Sequence, residues 1–431
     1  MRFNDGVQGG APSYRNTLRL LGELGFEVSW LDMTVSFGTG ERHWSNVGAE
    51  TALVRRCRGD IRRFGELLRR VSRREWYYAF VPVSKLLRRN NFSEEFASGM
   101  VYPLTALFFG TGSQTSRVSS VLVARVFNDP KLRLFEYDEE RLLSQAPKMF
   151  AFPPLADVYA RLGAEIEAQG GTVRVGCPVQ SVVRRRGRAV EVVCGGGERL
   201  NFDEVVFATN TEVSQRLLKA GGSRLGFVER RLLSGVEYFD DVTVTHTDAA
   251  YMSAHYEMAG KPMYYIKTYN EHGEPSKGEM SFDLSSYQPH ARADGESAIY
   301  QSIFLNRTAD ERMWTRGDID ESKIVLVKWW REFAHTVSHL VRSPLWRFAQ
   351  GARSTFYAGS YTLVNTHEIA IISGLAAAYR LGADYAFADD QLAADQFDLF
   401  LSINHGRRRK RVSPGAKGQA GAPSTSTVPA A

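Results

Sequence analysis

The chain has 431 residues, of which 43% are hydrophobic and 12% aromatic, enough to bury the cores of two domains. Its formal charge is +6, but the cations at 407–411 account for nearly all of the excess, so no specific binding of nucleic acid is expected. No run approaches the ~18 consecutive apolar residues of a membrane-spanning helix, and the first residues lack the pattern of a secretory signal. These features predict a cytoplasmic protein without a transmembrane segment.

The cysteines Cys57, Cys177 and Cys194 form no CxxC pair and are odd in number. Neither a disulfide framework nor a metal site is therefore predicted. Buried structural thiols in a reducing compartment are the favoured interpretation, with a reactive role as the alternative.

Helices are predicted first in the chain. Residues 14–28 carry leucines at helical spacing and end at Gly25, because glycine adopts the left-handed conformation that closes a helix. Residues 55–74 predict a strongly basic helix with one apolar face. Its arginine face is either a solvated surface or a binding surface for lipids or other anions, which would allow peripheral contact with a membrane.

The pattern changes from helices to short strands after residue 150. Residues 85–150 look mostly helical, and another amphipathic helix begins near residue 155. Five short β-type runs separated by glycines then predict a small antiparallel meander that leads back into a larger sheet. The runs are 172–175, 178–185, 189–193, 198–202 and 204–209. The last run is continuously apolar at Val205–Ala208, which is typical of a strand buried on both faces of a parallel sheet.

Residues 225–350 mix strands with a helix. The pattern predicts strands at 240–248 and 297–306 and a long helix near 319–341, with aromatic residues that line a core or a cavity. Residues 405–431 predict a disordered basic tail. The cations of this tail are interpreted as a solubilising segment, with a nuclear-localisation-like or membrane-attracted patch as the alternative.

The most informative segment is 357–382. A predicted strand enters Gly359, where the missing side chain lets the backbone approach a ligand closely. Asn365 or Thr366 can cap a helix that begins near Glu368. The free N–H groups and the positive dipole end of such a helix suit an anion, or a ring oxygen that gains negative charge. A purely structural, well-capped helix is the alternative.

This segment resembles the C-terminal flavin signature of the amine-oxidase and phytoene-desaturase-like flavoproteins. In that signature a strand ending in Ala-Gly is followed by Glu-x-Ala-x-x-Ser-Gly-x-x-Ala-Ala, and here Ala358-Gly359 is followed by 368–378. Pro178-Val179 and Phe207-Ala208-Thr209 are similar to the middle segment of the same family. Further segments resemble the branch found beside, or fused to, cyclopropane-fatty-acid synthases, so that the resemblance covers about residues 1–400. They are 4–16, 32–37, 245–248 and 365–368.

The resemblance implies an α/β fold with an incomplete FAD/NAD(P)-binding Rossmann-like domain, a small β-meander and an interleaved α+β substrate domain. The FAD-binding-like domain would comprise residues 1–24, 150–225 and 350–400. The substrate domain would comprise residues 25–149 and 226–349.

The resemblance also implies the residues of an FAD site. Val179 would contact adenine through its backbone, and Ala208 and Thr209 would pass close to the phosphates. Gly359 and Ser360 would face the ribityl–pyrophosphate region. The helix aimed at the flavin would begin with Glu368 and Ile369. His367 is the one weak candidate for a catalytic residue, with a positioning role favoured over that of a general base.

The strand, GxGxxG turn and helix with which this family begins are absent from the sequence. No predicted strand precedes Gly6, Gly9 and Gly10, and Gly195–Gly197 lies inside the meander. Weak or absent binding of FAD is therefore expected. Either the sequence is an incomplete version of a complete flavoprotein, or the chain has lost its first βα unit.

The function implied by the resemblance is an FAD-dependent oxidoreductase that oxidises a C–N or C–C bond by hydride transfer to flavin. The first alternative is a truncated or non-catalytic scaffold without bound cofactor. The second is a membrane- or nucleic-acid-associated protein, which rests only on 55–74 and 407–411. The substrate is expected to be a small molecule, and the cyclopropane-synthase branch favours a lipid-like one.

Overall fold

The computed structural model describes residues 2–110, 114–131, 133–184, 189–291 and 298–410. In chain order, its α-helices are α1 (Arg15–Glu23), α2 (Ala52–Arg73), α3 (Glu75–Tyr78), α4 (Val83–Arg89), α5 (Glu94–Phe96), α6 (Tyr102–Phe109), α7 (Ser120–Asn128), α8 (Leu155–Ala168), α9 (Thr211–Ala220), α10 (Phe227–Leu233), α11 (Ala249–His255), α12 (Leu284–Tyr287), α13 (Arg307–Asp310), α14 (Val337–Arg342), α15 (His367–Arg380) and α16 (Gln391–Phe400). The strands are β1 (Gly9–Gly10), β2 (Ser29–Asp32), β3 (Val35–Phe37), β4 (Trp44–Ser45), β5 (Lys148–Ala151), β6 (Val179–Arg184), β7 (Val190–Cys194), β8 (Arg199–Phe202), β9 (Val205–Phe207), β10 (Tyr238–His246), β11 (Tyr264–Tyr269), β12 (Glu274–Asp283), β13 (Tyr300–Phe304), β14 (Ile324–Phe333) and β15 (Thr355–Tyr357). No described helix is long and apolar enough to cross a membrane.

The largest sheet gathers strands from distant parts of the chain. Among the described residues, seven strands form it in the order β14-β10-β13-β12-β11-β3-β4. Its neighbours pair antiparallel except β11 and β3, which run parallel with Tyr264 opposite Val35. The apolar side chains of one face, among them Phe37, Ile266 and Met280, join the same core cluster as buried residues of α2, α6 and α7. This helical layer and the sheet therefore bury one continuous core.

The meander and a short parallel pair form a second region. The strands β6, β7 and β8 pair antiparallel in that order, which confirms four of the five predicted β-type runs when β9 is included. β9 pairs parallel with β15, and the N–H of Ala358 donates to the carbonyl oxygen of Phe207 at 2.9 Å just beyond the strands. Because the two strands are parallel, the segments that follow them both leave the pair at its carboxyl edge.

Two predicted strands differ in the structure. Residues 172–175 lie outside any strand, with Val175 89% exposed. The prediction that Val205–Ala208 is buried on both faces of a parallel sheet is wrong, because the side chain of Val206 is 37% exposed. Among the described residues, β15 is the only strand that pairs with β9. One edge of β9 therefore lies open.

The predicted long helix near 319–341 is also wrong. The structure has the strand β14 there, followed by the short helix α14. β14 pairs along almost its whole length with β10, from Phe333 opposite Tyr238 to Ile324 opposite His246. The pairing of backbone groups and the β-branched and aromatic side chains of β14 outweigh its local helical pattern.

The basic helix α2 has the predicted amphipathic form. Its apolar face is buried, whereas arginines of the other face form ion pairs with acidic side chains. These pairs are Arg56–Glu95, Arg58–Glu50, Arg62–Glu140, Arg63–Asp60 and Arg69–Glu139. Because neighbouring carboxylates neutralise much of this charge, the arrangement favours the solvated-surface interpretation over an anion-binding one.

The predicted basic tail begins with packed residues. Arg409 forms an ion pair with Asp398 at 3.0 Å, and the N–H of Lys410 donates to the hydroxyl oxygen of Tyr379. Residues 411–431 lie outside the described residues. The tail prediction therefore does not apply to residues 405–410.

Candidate functional site

Four of the residues in the predicted site lie together at the carboxyl edge of the parallel pair. Ala208 and Thr209 follow β9, and Gly359 and Ser360 follow β15 after one residue. Gly359 has a φ of 147°, and a Cβ at this position would lie 2.6 Å from a ring carbon of Tyr361. Both its conformation and the space around it therefore require glycine.

The loop after Gly359 is fixed by side-chain hydrogen bonds. The N–H of Gly359 donates to Ser373 Oγ at 2.7 Å. The N–H of Asn365 donates to Nε2 of His335 at 2.8 Å, and the Asn365 side chain donates to Glu332. Burial lowers the pKa of His335 to about 3, so that its ring stays neutral and can accept this bond. The loop thus places the start of α15 rigidly.

The start of α15 presents unpaired donors. Thr366 is its N-cap, and its Oγ1 accepts from the N–H of Ile369 at 3.1 Å. The backbone N–H groups of His367 and Glu368 have no acceptor among the described residues. Two free N–H groups at the positive end of a 14-residue helix form a binding place for an anion or an electron-rich oxygen.

The side-chain carboxylate of Glu368 does not face the start of its own helix but binds helix α1. Its Oε1 accepts from the N–H and the side-chain amide of Asn16, both at 2.9 Å. Its Oε2 accepts from the N–H of Thr17 at 2.8 Å and from Thr17 Oγ1 at 2.7 Å. Burial raises the pKa of Glu368 above its usual range, although these four donors counteract the shift. The Glu368 side chain therefore caps helix α1, and the backbone N–H is its only group free for a ligand.

His367 lies between α1 and an aromatic cluster. Its ring centroid is 4.8 Å from that of Phe152, and its Nδ1 is 3.4 Å from Thr17 Oγ1. Because Thr17 Oγ1 donates to Glu368, the contact assigns the ring proton to His367 Nδ1 and leaves Nε2 as an acceptor. Burial lowers the pKa of His367 to about 4. The ring is therefore neutral at physiological pH and is a weak base, which favours the positioning role predicted for it.

A buried polar chain leads from this cluster to the large sheet. The carbonyl oxygen of Gln8 accepts from the N–H of Phe152, and its side-chain amide donates to Gln301 Oε1 at 2.9 Å. Gln301 in turn donates to Asp5 Oδ1 at 2.6 Å. The resemblance gave no role to these three polar residues. Gln8 and Gln301 are buried and Asp5 is half-buried, and the contacts among them form only when the N-terminal segment is placed against β13.

Close approach of the backbone defines β1. A Cβ on Gly9 would lie 1.9 Å from the carbonyl oxygen of Phe150, and one on Gly10 would lie 2.5 Å from the Tyr14 ring. β1 pairs antiparallel with β5 through the same segment. The Gly-Gly pair thus serves strand packing next to α1.

Val179 lies at the other end of the same region. Together with Ala208 and Thr209 it lines an apolar cavity of about 370 Å³ beside the open edge of β9. The structure thus brings the predicted adenine-end residues together in one place. The predicted ribityl-end residues Gly359 and Ser360 lie beside them, across the parallel pair.

The parallel pair with turns at its carboxyl edge, the meander and the open helix start define an α/β protein of the dinucleotide-binding class. The sequence profile described as flavin containing amine oxidoreductase matches residues 12–382. The chain belongs to this family of flavoprotein oxidoreductases. No curated protein matches the sequence.

Solved structures share the fold at low sequence identity. The chain is similar to a CLA-producing fatty acid isomerase from P. acnes, with a TM-score of 0.61, 14% identity, and coverage of 89% of this chain and 88% of that one. Cyclohexylamine oxidase from Brevibacterium oxydans IH-35A gives a TM-score of 0.54, 14% identity and 88% coverage of both chains. Putrescine oxidase bound to putrescine gives 0.53, 12% and 87% of both chains. These likenesses confirm the predicted FAD-binding amine-oxidase fold.

Proposed function

We propose that this chain is an FAD-dependent oxidoreductase that oxidises a C–N or C–C bond of a small or lipid-like substrate. The observation that carries the proposal is the pair of free N–H groups of His367 and Glu368 at the start of α15. When bound, FAD supplies the hydride acceptor. The N–H groups and the helix dipole would stabilise the negative charge that a reduced flavin ring carries on its pyrimidine edge.

The residues present fit the two ends of the cofactor differently. At the ring end, α15 offers donors without acceptors, and hydrogen bonds to Ser373 and His335 hold the loop that precedes it. At the adenine end, Val179, Ala208 and Thr209 line an apolar cavity with space for a flat ring. Between these ends, Gly359 lies against the ring of Tyr361, which occupies the space that a Cβ would take.

The protein's own groups would orient reactants and exclude water. The aromatic rings of Tyr14, Phe150 and Phe152 pack edge to face beside His367, with centroid separations of 5.2 to 6.3 Å between neighbouring rings. His367 would hold its position through Thr17, and burial lowers its pKa to about 4, which makes it a weak proton acceptor near neutral pH. The rate should therefore show no dependence on the titration of His367 between about pH 6 and 9.

A pair of substitutions at one position tests the helix start. His367→Pro removes one of the two free N–H groups, and proline is tolerated at the first position of a helix. The preceding residue, Thr366, has φ −140° and ψ 150°, an extended conformation that proline accepts at its N-terminal neighbour. His367→Ala removes the same side chain but keeps the N–H group, and so serves as the matched control.

FAD is titrated into the flavin-free chain and binding is followed by protein fluorescence and flavin absorbance. We expect the unsubstituted chain to bind FAD one-to-one and saturably but weakly, because the sequence lacks the GxGxxG turn that binds the pyrophosphate. The proline variant should bind oxidised FAD roughly fivefold more weakly than the alanine variant, since one net hydrogen bond to a neutral acceptor contributes about 1 kcal/mol. Equal affinities of the two variants for FAD would refute the proposal that the start of α15 binds the flavin ring.

A scaffold that keeps the fold without cofactor is the second candidate. The open edge of β9, with Val206 37% exposed, favours it, because the described residues supply no strand on that side of the predicted dinucleotide site. The same titration separates the two candidates. Saturable binding of FAD supports the oxidoreductase, and no change in fluorescence or flavin absorbance at any concentration supports the scaffold.

A further inference from the structure

Two cysteines meet at the open end of the β6–β7 hairpin. Cys194 ends β7 and lies opposite Val179, the first residue of β6, while Cys177 precedes that strand by two residues. The N–H of Gly195 donates to the carbonyl oxygen of Pro178 at 2.8 Å, and the N–H of Cys194 donates to the carbonyl oxygen of Glu198 at 2.9 Å. The backbone therefore fixes both cysteines and Glu198 at one end of the meander.

Their side chains converge. One Sγ of each cysteine and one carboxylate oxygen of Glu198 all lie within 4.8 Å of one another. The Sγ atoms of a tetrahedral zinc site, with bonds of about 2.3 Å to sulfur, lie roughly 3.8 Å apart. Small rotations of three side chains on a fixed hairpin would therefore bring these atoms to coordination distance.

The charges around the three groups balance those of a divalent cation. Arg174 binds Glu198 through both terminal nitrogens, at 3.1 and 2.6 Å. Two thiolates and one carboxylate together with the guanidinium carry a net charge of −2, which one divalent cation neutralises. Arg174 also holds the carboxylate of Glu198 in place beside the sulfurs, as an outer partner of a metal ligand does.

We propose that Cys177, Cys194 and Glu198 bind one divalent cation with an affinity for sulfur, of the zinc class, with water in the fourth position. Two sulfurs and one carboxylate select such an ion over magnesium or calcium, which prefer sets of oxygen ligands. Partial burial suits this role, since Cys194 is buried and Cys177 is half-buried. The site adjoins the proposed adenine end of the flavin site, because Cys194 lies opposite Val179 in the hairpin, but it contains none of the proposed flavin-binding residues.

The experiment uses the full chain kept reduced by a phosphine, with Cd²⁺ as the probe. Coordination by thiolates gives an ultraviolet charge-transfer absorbance that free cadmium lacks. We expect one equivalent of Cd²⁺ to saturate this signal, and Zn²⁺ to abolish it by competition. Cys177→Ser and Cys194→Ser should each weaken binding at least roughly tenfold, and Glu198→Gln should weaken it by a smaller factor.

Two control variants each remove a cysteine or a carboxylate that lies outside the proposed metal site. Cys57→Ala removes the third cysteine, which is buried in α2, and Glu204→Gln removes an exposed carboxylate of the same meander region. Neither should change the affinity for Cd²⁺. Unchanged binding in Cys194→Ser, or equal losses in Cys57→Ala, would overturn the proposal.

A measurement on the unsubstituted chain covers the case in which a variant does not fold. Zn²⁺ should slow the alkylation of Cys177 and Cys194 by iodoacetamide, read peptide by peptide by mass spectrometry, and should leave Cys57 unaffected. Alkylation of Cys177 at the same rate with and without Zn²⁺ would contradict the site. A disulfide between Cys177 and Cys194 that persists under the reducing conditions would also contradict it.

Discussion

The contact between Glu368 and helix α1 joins two segments that lie 352 residues apart in sequence. Replacement by alanine would leave four donors of Asn16 and Thr17 without their acceptor in a buried place. Breaking a buried charged network by removing one partner costs about 3–5 kcal/mol, partly offset here because burial already disfavours the charged carboxylate. We therefore expect Glu368→Ala to lower the free energy of unfolding by about 3 kcal/mol or more.

Glu368→Gln gives a graded test of the same contact. The glutamine oxygen can serve the two donors of Asn16 or those of Thr17, but its NH₂ group cannot accept from the other pair. The free energy of unfolding should fall by about 1–2 kcal/mol, which is less than the fall expected for the alanine variant. Glu66→Ala, on the exposed face of α2, should change stability by no more than about 0.5 kcal/mol.

The assay is unfolding by guanidinium chloride followed by tryptophan fluorescence and circular dichroism. The order of stability should be unsubstituted chain, then glutamine, then alanine, with Glu66→Ala close to the unsubstituted chain. A loss below about 1 kcal/mol in Glu368→Ala would refute the assignment of Glu368 as the cap of α1, because one net hydrogen bond alone contributes that much.

Three further perturbations have expected outcomes of their own. Gly359→Ala should lower the thermal midpoint, because the new Cβ would meet Tyr361 at 2.6 Å, whereas Gly374→Ala on the exposed surface of α15 should raise it slightly. Burial raises the pKa of Asp241 from 3.8 to about 7. The contribution of the protonated Asp241 to the free energy of unfolding is therefore complete below pH 4 and is lost as the pH rises towards 7. Asp241→Asn should stabilise the chain at pH 8, on the order of 4 kcal/mol, and should bring little gain at pH 4. The ion pair with Arg184 lowers the pKa of Glu229 below 4.5, although burial opposes this shift. The contribution of the ionised Glu229 to the free energy of unfolding is therefore present above that pH and is lost in acid. The unfolding midpoint should fall more in Glu229→Gln at pH 7 than at pH 3, relative to the unsubstituted chain.

Local patterns predicted the elements whose two faces differ. α1, α2 and α8 are amphipathic, and the meander is punctuated by glycines, so their sequences carry the required periodicity. β14 forms an outer strand of its sheet and is exposed along most of its length, so it lacks the alternation of a half-buried strand. The prediction of a helix there failed because pairing with β10, which no local pattern encodes, decides the structure.

The candidate site could be predicted only in part. Gly359 and the start of α15 could be proposed from the sequence because their residues form a local motif. The contact of Glu368 with Asn16 and Thr17 was missed, although two buried polar residues in the first turn of an otherwise amphipathic helix were a usable signal. The convergence of Cys177, Cys194 and Glu198 was also missed, because it depends on the register of the β6–β7 hairpin.

The large sheet and helix α1 both join the beginning of the chain to segments made much later. β3 needs β11 as its partner, and α1 needs Glu368 as its cap. At a synthesis rate of ~5–20 residues per second, about 20–70 s separate the appearance of Asn16 from that of Glu368 on the ribosome. During this time α1 lacks its cap, and β3 lacks β11 until residue 269 has been made. We therefore expect the nascent chain to depend on chaperones and to become resistant to protease only after α15 has left the ribosome.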